Sequence, residues 1–268
     1  MSTRKRRKKA NNTLPIIIIG LVLALLALFI YQYTKVVQGT IKTDAATNCR
    51  SDGIFPRDTV VLLDATEAVS EPQLIDLSNQ LEQVVRSSII HERFTIYFLR
   101  DDPERFQPAL VICNPGTGQN LSGNTNNLKK LMATWQESFK APIKDSLLGL
   151  AELTPSSSSP IMEMLKFVGL RSFARSTSSD KRLILVSDMV EHNESYSQYR
   201  NRNLDFESLA QTRYFREMRP RLSDVMIDIL YIKRHSLNEI QSGDHIKKFW
   251  QPFVRRSGGQ IRDVTYIN

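Results

Sequence analysis

The sequence predicts an α/β fold with a mostly parallel sheet of about six strands. Two short runs, Thr59–Leu63 (TVVLL) and Leu183–Ser187 (LILVS), are apolar almost throughout, which indicates strands buried on both faces. Residues 71–87 carry leucine and valine at helical spacing directly after the first of these runs. Strands that alternate with helices favour a parallel sheet covered by helices on both faces. A content of 41% hydrophobic and 24% charged residues supports a globular rather than a disordered chain.

The remaining elements follow from local patterns. Residues 93–99 and 109–113 are rich in β-branched and aromatic residues, and the polar connection between them is too short for a crossover helix. These two strands should therefore pair antiparallel and form one edge of the sheet. Further strands are predicted at 225–232 and 261–267, and helices at 71–87, 127–139, 144–153, 205–216 and 245–256, with one more after Pro160 and a break at Pro142.

An apolar run near the amino terminus predicts a membrane-spanning helix. Leu14–Tyr31 contains no charged residue, and 18 helical residues cover about 27 Å, close to the thickness of a bilayer core. A cleavable signal peptide is the alternative, but its apolar region usually has only about 7 to 15 residues. The basic run Arg4–Lys9 should remain in the cytoplasm. We therefore expect a single-pass protein with its carboxyl-terminal domain outside the cytoplasm, in the periplasm of a Gram-negative cell.

These signals divide the chain into four parts. They are a basic cytoplasmic tail (1–13), a transmembrane helix (14–33), a linker (34–57) and one α/β domain (58–268).

The distribution of charge argues against nucleic-acid binding. The net charge is +8, but Arg4–Lys9 supplies six positive charges and the rest of the chain has a net charge of only +2. Nucleic-acid-binding domains spread Lys and Arg over a face instead of confining them to a terminus. The basic tail is therefore expected to set membrane topology and to contact anionic lipids.

Candidate site residues follow the two buried strands. Asp64 ends the first strand and Asp188 follows a later one, and the carboxyl ends of parallel strands form the edge at which ligands bind. Two carboxylates and nearby hydroxyls would suit Mg²⁺, Mn²⁺ or Ca²⁺. The alternative is that both aspartates accept backbone N–H bonds in turns, and that Ser159 caps a helix. The predicted ligands are Asp64, Thr66, Ser70, Ser159 and Asp188, with Ser158 nearby.

Three short segments resemble the von Willebrand factor A family over about residues 57–268. Asp64-Ala65-Thr66 resembles the start of its Asp-x-Ser-x-Ser motif, Ser158–Ile161 lies where the family has a Thr before a helix, and Ser187-Asp188 resembles its Ser-Asp-Gly. The resemblance implies a Rossmann-like sheet and a metal-ion-dependent adhesion site that binds a protein partner. Position 68 is Ala instead of the second serine, and Met189 replaces the glycine. We therefore expect any ion to bind weakly.

Two further resemblances leave the activity open. Segments 113–116, 159–162 and 186–189 resemble a group of uncharacterised bacterial membrane-anchored proteins of this fold, a likeness that implies no activity. Asp64-x-Thr66 is also similar to the start of the nucleophile motif of haloacid-dehalogenase-like phosphatases, which implies attack by Asp64 on phosphorus with Mg²⁺ held by Asp188. Those enzymes usually have a second aspartate two residues after the first, and this chain has Thr66 there.

Cys49 and Cys113 are the only cysteines, and both lie in the part expected outside the cytoplasm, where disulfides persist. They either form a disulfide that fastens the linker to the domain or remain two separate thiols. Other catalytic signatures are missing from the sequence. The four histidines are scattered without a His-x-x-x-His pair, and there is no Gly-x-Ser-x-Gly motif.

The sequence therefore predicts a noncatalytic, membrane-anchored interaction module for an unknown protein partner, with or without a divalent ion. A phosphohydrolase that uses Asp64 and an ion-free structural component of a membrane assembly are the alternatives.

Overall fold

A computed structural model describes residues 13–38, 41–100, 106–118, 128–152, 156–201 and 205–268. The chain forms two compact units, Met1–Lys42 and Thr43–Asn268. The first unit contains helix α1 (Thr13–Gln38), whose side chains are described from residue 17 to residue 33. Across the described ranges, no helix combines the length and the apolar character needed to cross a membrane. The transmembrane helix expected over 14–33 therefore stays a prediction, and the basic tail 1–12 lies outside the described residues.

The second unit is built on one six-stranded sheet with the strand order β3-β2-β1-β4-β5-β6. Only β3 runs antiparallel to its neighbour, so the prediction of a mostly parallel sheet with one antiparallel edge strand is confirmed. The chain order reverses between β1 and β4, which is where open α/β sheets bind ligands. The strands are β1 (Asp58–Asp64), β2 (Arg93–Leu99), β3 (Leu110–Cys113), β4 (Lys181–Ser187), β5 (Val225–Ile232) and β6 (Gln260–Ile267).

Seven helices of the described residues cover the two faces of the sheet. They are α2 (Glu71–Arg86), α3 (Leu128–Trp135), α4 (Ala141–Leu148), α5 (Ile161–Arg171), α6 (Phe206–Ala210), α7 (Arg213–Met218) and α8 (Gln251–Arg256).

Side chains of β1 alternate between two apolar cores. Val60 and Leu62 pack with residues of α5 to α8, whereas Val61 and Leu63 pack with residues of α2 to α4. All seven positions of β1 are buried, as expected of the central strand of a parallel sheet. This double burial fixes the register of β1 and therefore the position of Asp64 at its end.

The predicted helix break at Pro142 is wrong. A π-helical turn at Gln136–Lys140 joins α3 directly to α4, and Pro142 lies inside the continuous helix. Proline has no N–H to donate, so the carbonyl four residues earlier loses its helical partner. That carbonyl, of Ser138, accepts a bond from Asn48 Nδ2 at 3.2 Å instead. The replacement partner explains why the helix tolerates the proline.

Residues 43–57, which the sequence assigned to a linker, belong to the compact domain unit. A turn closes between Thr43 and Arg50, and Cys113 N–H donates to Thr47 O at 2.8 Å. Cys49 and Cys113 form a disulfide, so the first of the two alternatives for the cysteines holds in this structure. The segment before β1 is therefore fastened to the β3 edge.

Candidate functional site

Asp64 lies at the carboxyl end of β1, and hydroxyl groups from two loops and from the last residue of β4 converge on it. Its Oδ1 accepts Thr66 Oγ1 at 2.6 Å and Thr66 N–H at 3.0 Å. Its Oδ2 accepts Ser187 Oγ at 2.7 Å and Ser159 Oγ at 3.4 Å. The sheet topology therefore brings Asp64, Thr66 and Ser159 together as predicted, and it adds Ser187 as a further partner of Asp64.

Asp188 follows β4 in a loop that is held from several sides. Val190 N–H donates to Asp188 Oδ1 at 2.9 Å, and Gln241 Nε2 donates to the Asp188 carbonyl at 3.0 Å. Met189 has a φ of 61°, the left-handed region that glycine adopts most easily. The Met189 carbonyl accepts Trp250 Nε1 at 2.7 Å, and its buried side chain packs in the core. These contacts hold a conformation that methionine rarely adopts.

The two candidate serines, Ser70 and Ser159, have different roles. Ser70 is the N-cap of α2 and shares reciprocal bonds with Gln73, so its oxygen serves the helix. Ser159, by contrast, does not cap α5, because Pro160 is the N-cap residue and makes no side-chain bond there. The backbone of Ser159 instead pairs with His192 in both directions. This pairing turns the Ser159 hydroxyl toward Asp64.

Arg234 is the residue of this edge that the sequence interpretation missed. Its Nε lies 3.0 Å from Asp188 Oδ2 and 2.7 Å from Glu67 Oε2, and its Nη1 donates to Ala68 O at 2.8 Å. Arg234 comes two residues after β5, the strand beside β4. The rule that ligand-binding residues follow the strands of a parallel sheet predicts Arg234 as well, when it is applied to cationic side chains in addition to oxygen ligands.

β1 and β4 are neighbouring parallel strands, so the loops that carry the two aspartates lie side by side at the carboxyl ends of these strands. The serine loop lies beside them, and β3 is the antiparallel strand at one side of the sheet. The sheet order and the antiparallel edge strand agree with the von Willebrand factor A-like fold that the sequence motifs imply. A solved structure described as von Willebrand factor type A from Catenulispora acidiphila aligns with this chain at 10% identity and a TM-score of 0.36. That alignment covers 80% of this chain and 39% of the other, so the chain spans about two fifths of that structure's length. No family model and no curated protein matches the chain.

The oxygen set of this edge does not fit a resident divalent ion as it is arranged. All four carboxylate oxygens of Asp64 and Asp188 already accept bonds from protein donors. Ala68 has no side-chain oxygen, and Ser70 is committed to the cap of α2. No group of three or more His, Cys, Asp or Glu side chains in the described ranges could hold a metal ion. The positive charge next to Asp188 comes from Arg234.

Burial and mutual repulsion raise the proton affinity of this edge. Burial raises the pKa of Asp64, although the bonds from Ser187 and Thr66 oppose that rise. Burial, followed by the charges of Asp64 and Glu67, raises the pKa of Asp188 to about 8. The carboxylates therefore carry more negative charge than Arg234 alone neutralises when all of them are ionised.

A cleft lies directly above these buried groups. It has a volume of about 370 Å³ and runs between the serine loop, residues 156–159, and the loop that contains residues 190–200. Tyr199 OH donates to Glu67 Oε1 at 3.2 Å, which links the far wall of the cleft to the Asp64 loop. Ser156 N–H donates to Thr66 O at 2.8 Å and fixes the near wall. The cleft therefore presents hydroxyl, imidazole and guanidinium groups, and hydrogen bonds hold both of its walls in place.

Proposed function

We propose that this chain is a membrane-anchored, extracytoplasmic interaction module without catalytic activity, and that its protein partner binds at the carboxyl edge of the sheet. The observation that carries the proposal is the cleft above Asp64 and Asp188, whose walls are lined with polar and aromatic groups. Tyrosine and arginine, here Tyr199 and Arg200, are residue types that interfaces favour over the rest of a surface. Proteins of this fold commonly mediate protein interactions, and the cleft occupies the fold's ligand edge.

Membrane anchoring is supported by the sequence and by the exposure of α1. The large apolar side chains described from Ile17 to Tyr33 are at least half exposed, and Leu14–Tyr31 has no charge. Large exposed apolar patches mark interaction with a membrane or another protein. A reporter active only outside the cytoplasm should work when fused after Asn268, because the basic run Arg4–Lys9 favours a cytoplasmic amino terminus. Activity of a cytoplasm-only reporter at that position would overturn this orientation.

Site-specific crosslinking tests the interaction itself. A photoreactive amino acid would replace Ser157, an exposed residue of the cleft rim, in the full-length chain in its own membranes. The matched control is Ser179, which is also an exposed serine but lies just before β4 at the opposite edge of the sheet. We expect one protein to be crosslinked from position 157 and not from 179, and Arg200→Glu to abolish that product. Equal products from both positions would contradict the proposal.

The same experiment addresses the ion-assisted form and the ion-free structural alternative. If Mg²⁺, Mn²⁺ or Ca²⁺ assists binding, chelation should remove the crosslink from position 157. A product that survives chelation favours ion-free binding. A chain whose crosslinks do not respond to cleft substitutions would favour the purely structural role.

The phosphohydrolase alternative requires Asp64 to be free to attack phosphorus. Both of its oxygens are engaged by hydroxyl groups, and the residue is buried. We expect no hydrolysis of small phosphate esters with Mg²⁺ above background. Turnover that disappears in Asp64→Asn would establish the enzyme instead.

A further inference from the structure

Arg234 occupies the position from which a cation would neutralise the acidic loops. Its guanidinium contacts Asp188 Oδ2, Glu67 Oε2 and the carbonyl of Ala68 within 3.0 Å. The carbonyl contact falls at the motif position where a serine oxygen is missing. The Arg234 side chain therefore contacts three oxygens, one from the Asp188 loop and two from the Asp64 loop. Without Arg234 these oxygens would have no cationic partner among the described residues of this edge.

Other groups fix the position of Arg234. Its backbone N–H donates to Gln241 Oε1 at 2.8 Å, and the same Gln241 donates through Nε2 to the carbonyls of Asp188 and Ile232. Gln241 is itself buried, so the amide joins the Arg234 backbone rigidly to the Asp188 loop. The Arg234 side chain is only 17% exposed. A planar guanidinium loses little conformational freedom for each hydrogen bond that it forms, so its several partners hold it in one position. Arg234 is thus built into the edge.

We infer that Arg234 is the internal cation of this site, which replaces the divalent ion and excludes it from Asp188. The inference rests on the proposed binding site only for its location. A divalent ion bound to Asp188 Oδ2 would have to displace the guanidinium from both carboxylates. Removal of the arginine charge would instead leave Asp188 Oδ2, Glu67 Oε2 and the Ala68 carbonyl, the three oxygens that Arg234 now contacts, without a cation, and carboxylate and carbonyl oxygens are hard ligands of the kind that Mn²⁺ and Mg²⁺ accept.

The test is a titration of the full-length chain with Mn²⁺ alone, in which the bound fraction is measured from the loss of the free-ion electron paramagnetic resonance signal. We expect wild type to show no saturable binding below about 10 mM, and Arg234→Gln to bind with a dissociation constant of about 1 mM or less, in the range of weak extracellular ion sites. The matched control is Arg200→Gln, which removes an arginine of the same cleft whose hydrogen bonds, within the part of the chain that the structure describes, go to backbone carbonyls. It should behave as wild type.

Two further variants secure the assignment. Adding Asp188→Asn to Arg234→Gln should abolish the gained binding, because it removes one of the two carboxylates that Arg234 contacts. Arg234→Lys keeps the charge and should gain little, since an ammonium remains a cation beside Asp188. Saturable binding by wild type below about 10 mM would overturn the inference, and so would a folded Arg234→Gln variant that binds no better than wild type. Neither result depends on the partner, so a failed crosslinking experiment would not be confused with a failed ion test.

Discussion

Buried acids are paired differently at the two ends of the parallel strands. At the end where β1, β2 and β4 begin, called the amino edge below, Asp58 forms a two-point ion pair with Arg93. The buried Glu92 there accepts bonds from a hydroxyl, a backbone amide and an arginine. The disulfide between Cys49 and Cys113 lies at the same edge, because Cys113 pairs in register with Arg93. Both acids there have an arginine partner, Arg93 for Asp58 and Arg57 for Glu92, and the disulfide adds a covalent link at this edge.

At the carboxyl edge, two acids share one arginine. Asp188 and Glu67 both contact Arg234, Asp64 accepts bonds from hydroxyl groups instead, and burial with the charges of neighbouring acids raises the pKa of both aspartates. The acids of the amino edge are paired with arginines, which indicates that this edge stabilises the fold. The acids of the carboxyl edge lie close together, an electrostatic arrangement that stability alone would not favour. Perturbed acids of this kind are typical of functional sites.

The largest expected loss of stability comes from removing the disulfide at the amino edge. Replacing Cys49 and Cys113 together by serine removes a crosslink with a sequence separation of 64 residues. In the chain-entropy view this lowers the free energy of unfolding by about 4 kcal/mol. Urea unfolding of the full-length chain measures the change, and wild type treated with reductant should match the double variant. A loss below about 1 kcal/mol would mean that the disulfide contributes little to this edge.

The next effect compares one acid from each edge. Asp58→Asn leaves the Arg93 guanidinium, which is 23% exposed, without its partner and should lower the free energy of unfolding by about 2 to 3 kcal/mol. Asp188→Asn removes a crowded charge and should change stability much less, or raise it. Unfolding titrations of both variants measure the difference. Equal losses would contradict the contrast between the two edges.

A smaller effect uses the two tryptophans. Trp250 Nε1 donates to Met189 O beside the cleft, and Trp135 Nε1 donates to Asn114 Oδ1 just after β3 at the amino edge. Replacing either by phenylalanine deletes one buried hydrogen bond and should cost about 1 to 2 kcal/mol. Only Trp250→Phe should weaken the crosslink from position 157, because of these two bonds only the one from Trp250 contacts the Asp188 loop. If Trp135→Phe weakened it equally, general loss of stability would explain both results.

The last effect concerns pH and is small over any narrow pH range. The pKa of Asp188 in the folded chain, about 8, lies above its ordinary value, so its contribution to stability is complete in acid and is lost as the pH rises toward 8. Relative to wild type, Asp188→Asn should therefore gain stability between pH 5 and pH 8, by at most about 1.4 kcal/mol per pH unit. Melting temperatures measured at several pH values test this. A difference that stays constant over the range would contradict it.

Most of the fold follows from local patterns, because buried strands require continuous apolar runs. Thr59–Leu63 and Leu183–Ser187 coincide almost residue for residue with β1 and with the last part of β4, and strand-end logic then placed Asp64 and Asp188 at one edge. Pro142 was misjudged because its effect depends on Asn48, a residue about ninety positions earlier in the chain.

The site was less predictable because its partners come from distant parts of the sequence. The hydroxyls of Ser70 and Ser159 look equivalent in the sequence, yet backbone pairing with His192 turns one toward Asp64 while Gln73 occupies the other. The neutralising role of Arg234 depends on the neighbouring positions of β4 and β5, which periodicity does not reveal. Element boundaries are local properties, whereas the assignment of charge partners depends on the tertiary fold.

The bond between Trp250 and Met189 also makes the binding edge sensitive to sequence changes far from it. Trp250 ends a π-helical turn that leads into α8, and its ring is packed among the aromatic residues Phe249 and Phe253. Any substitution that shifts this aromatic cluster shifts the donor that holds residue 189 in its left-handed conformation. Under the proposed function, selection for altered partner preference should therefore return substitutions in residues 245–254 as well as in the cleft. Affinity would then change through the packing of this segment, without any change in the residues that line the cleft.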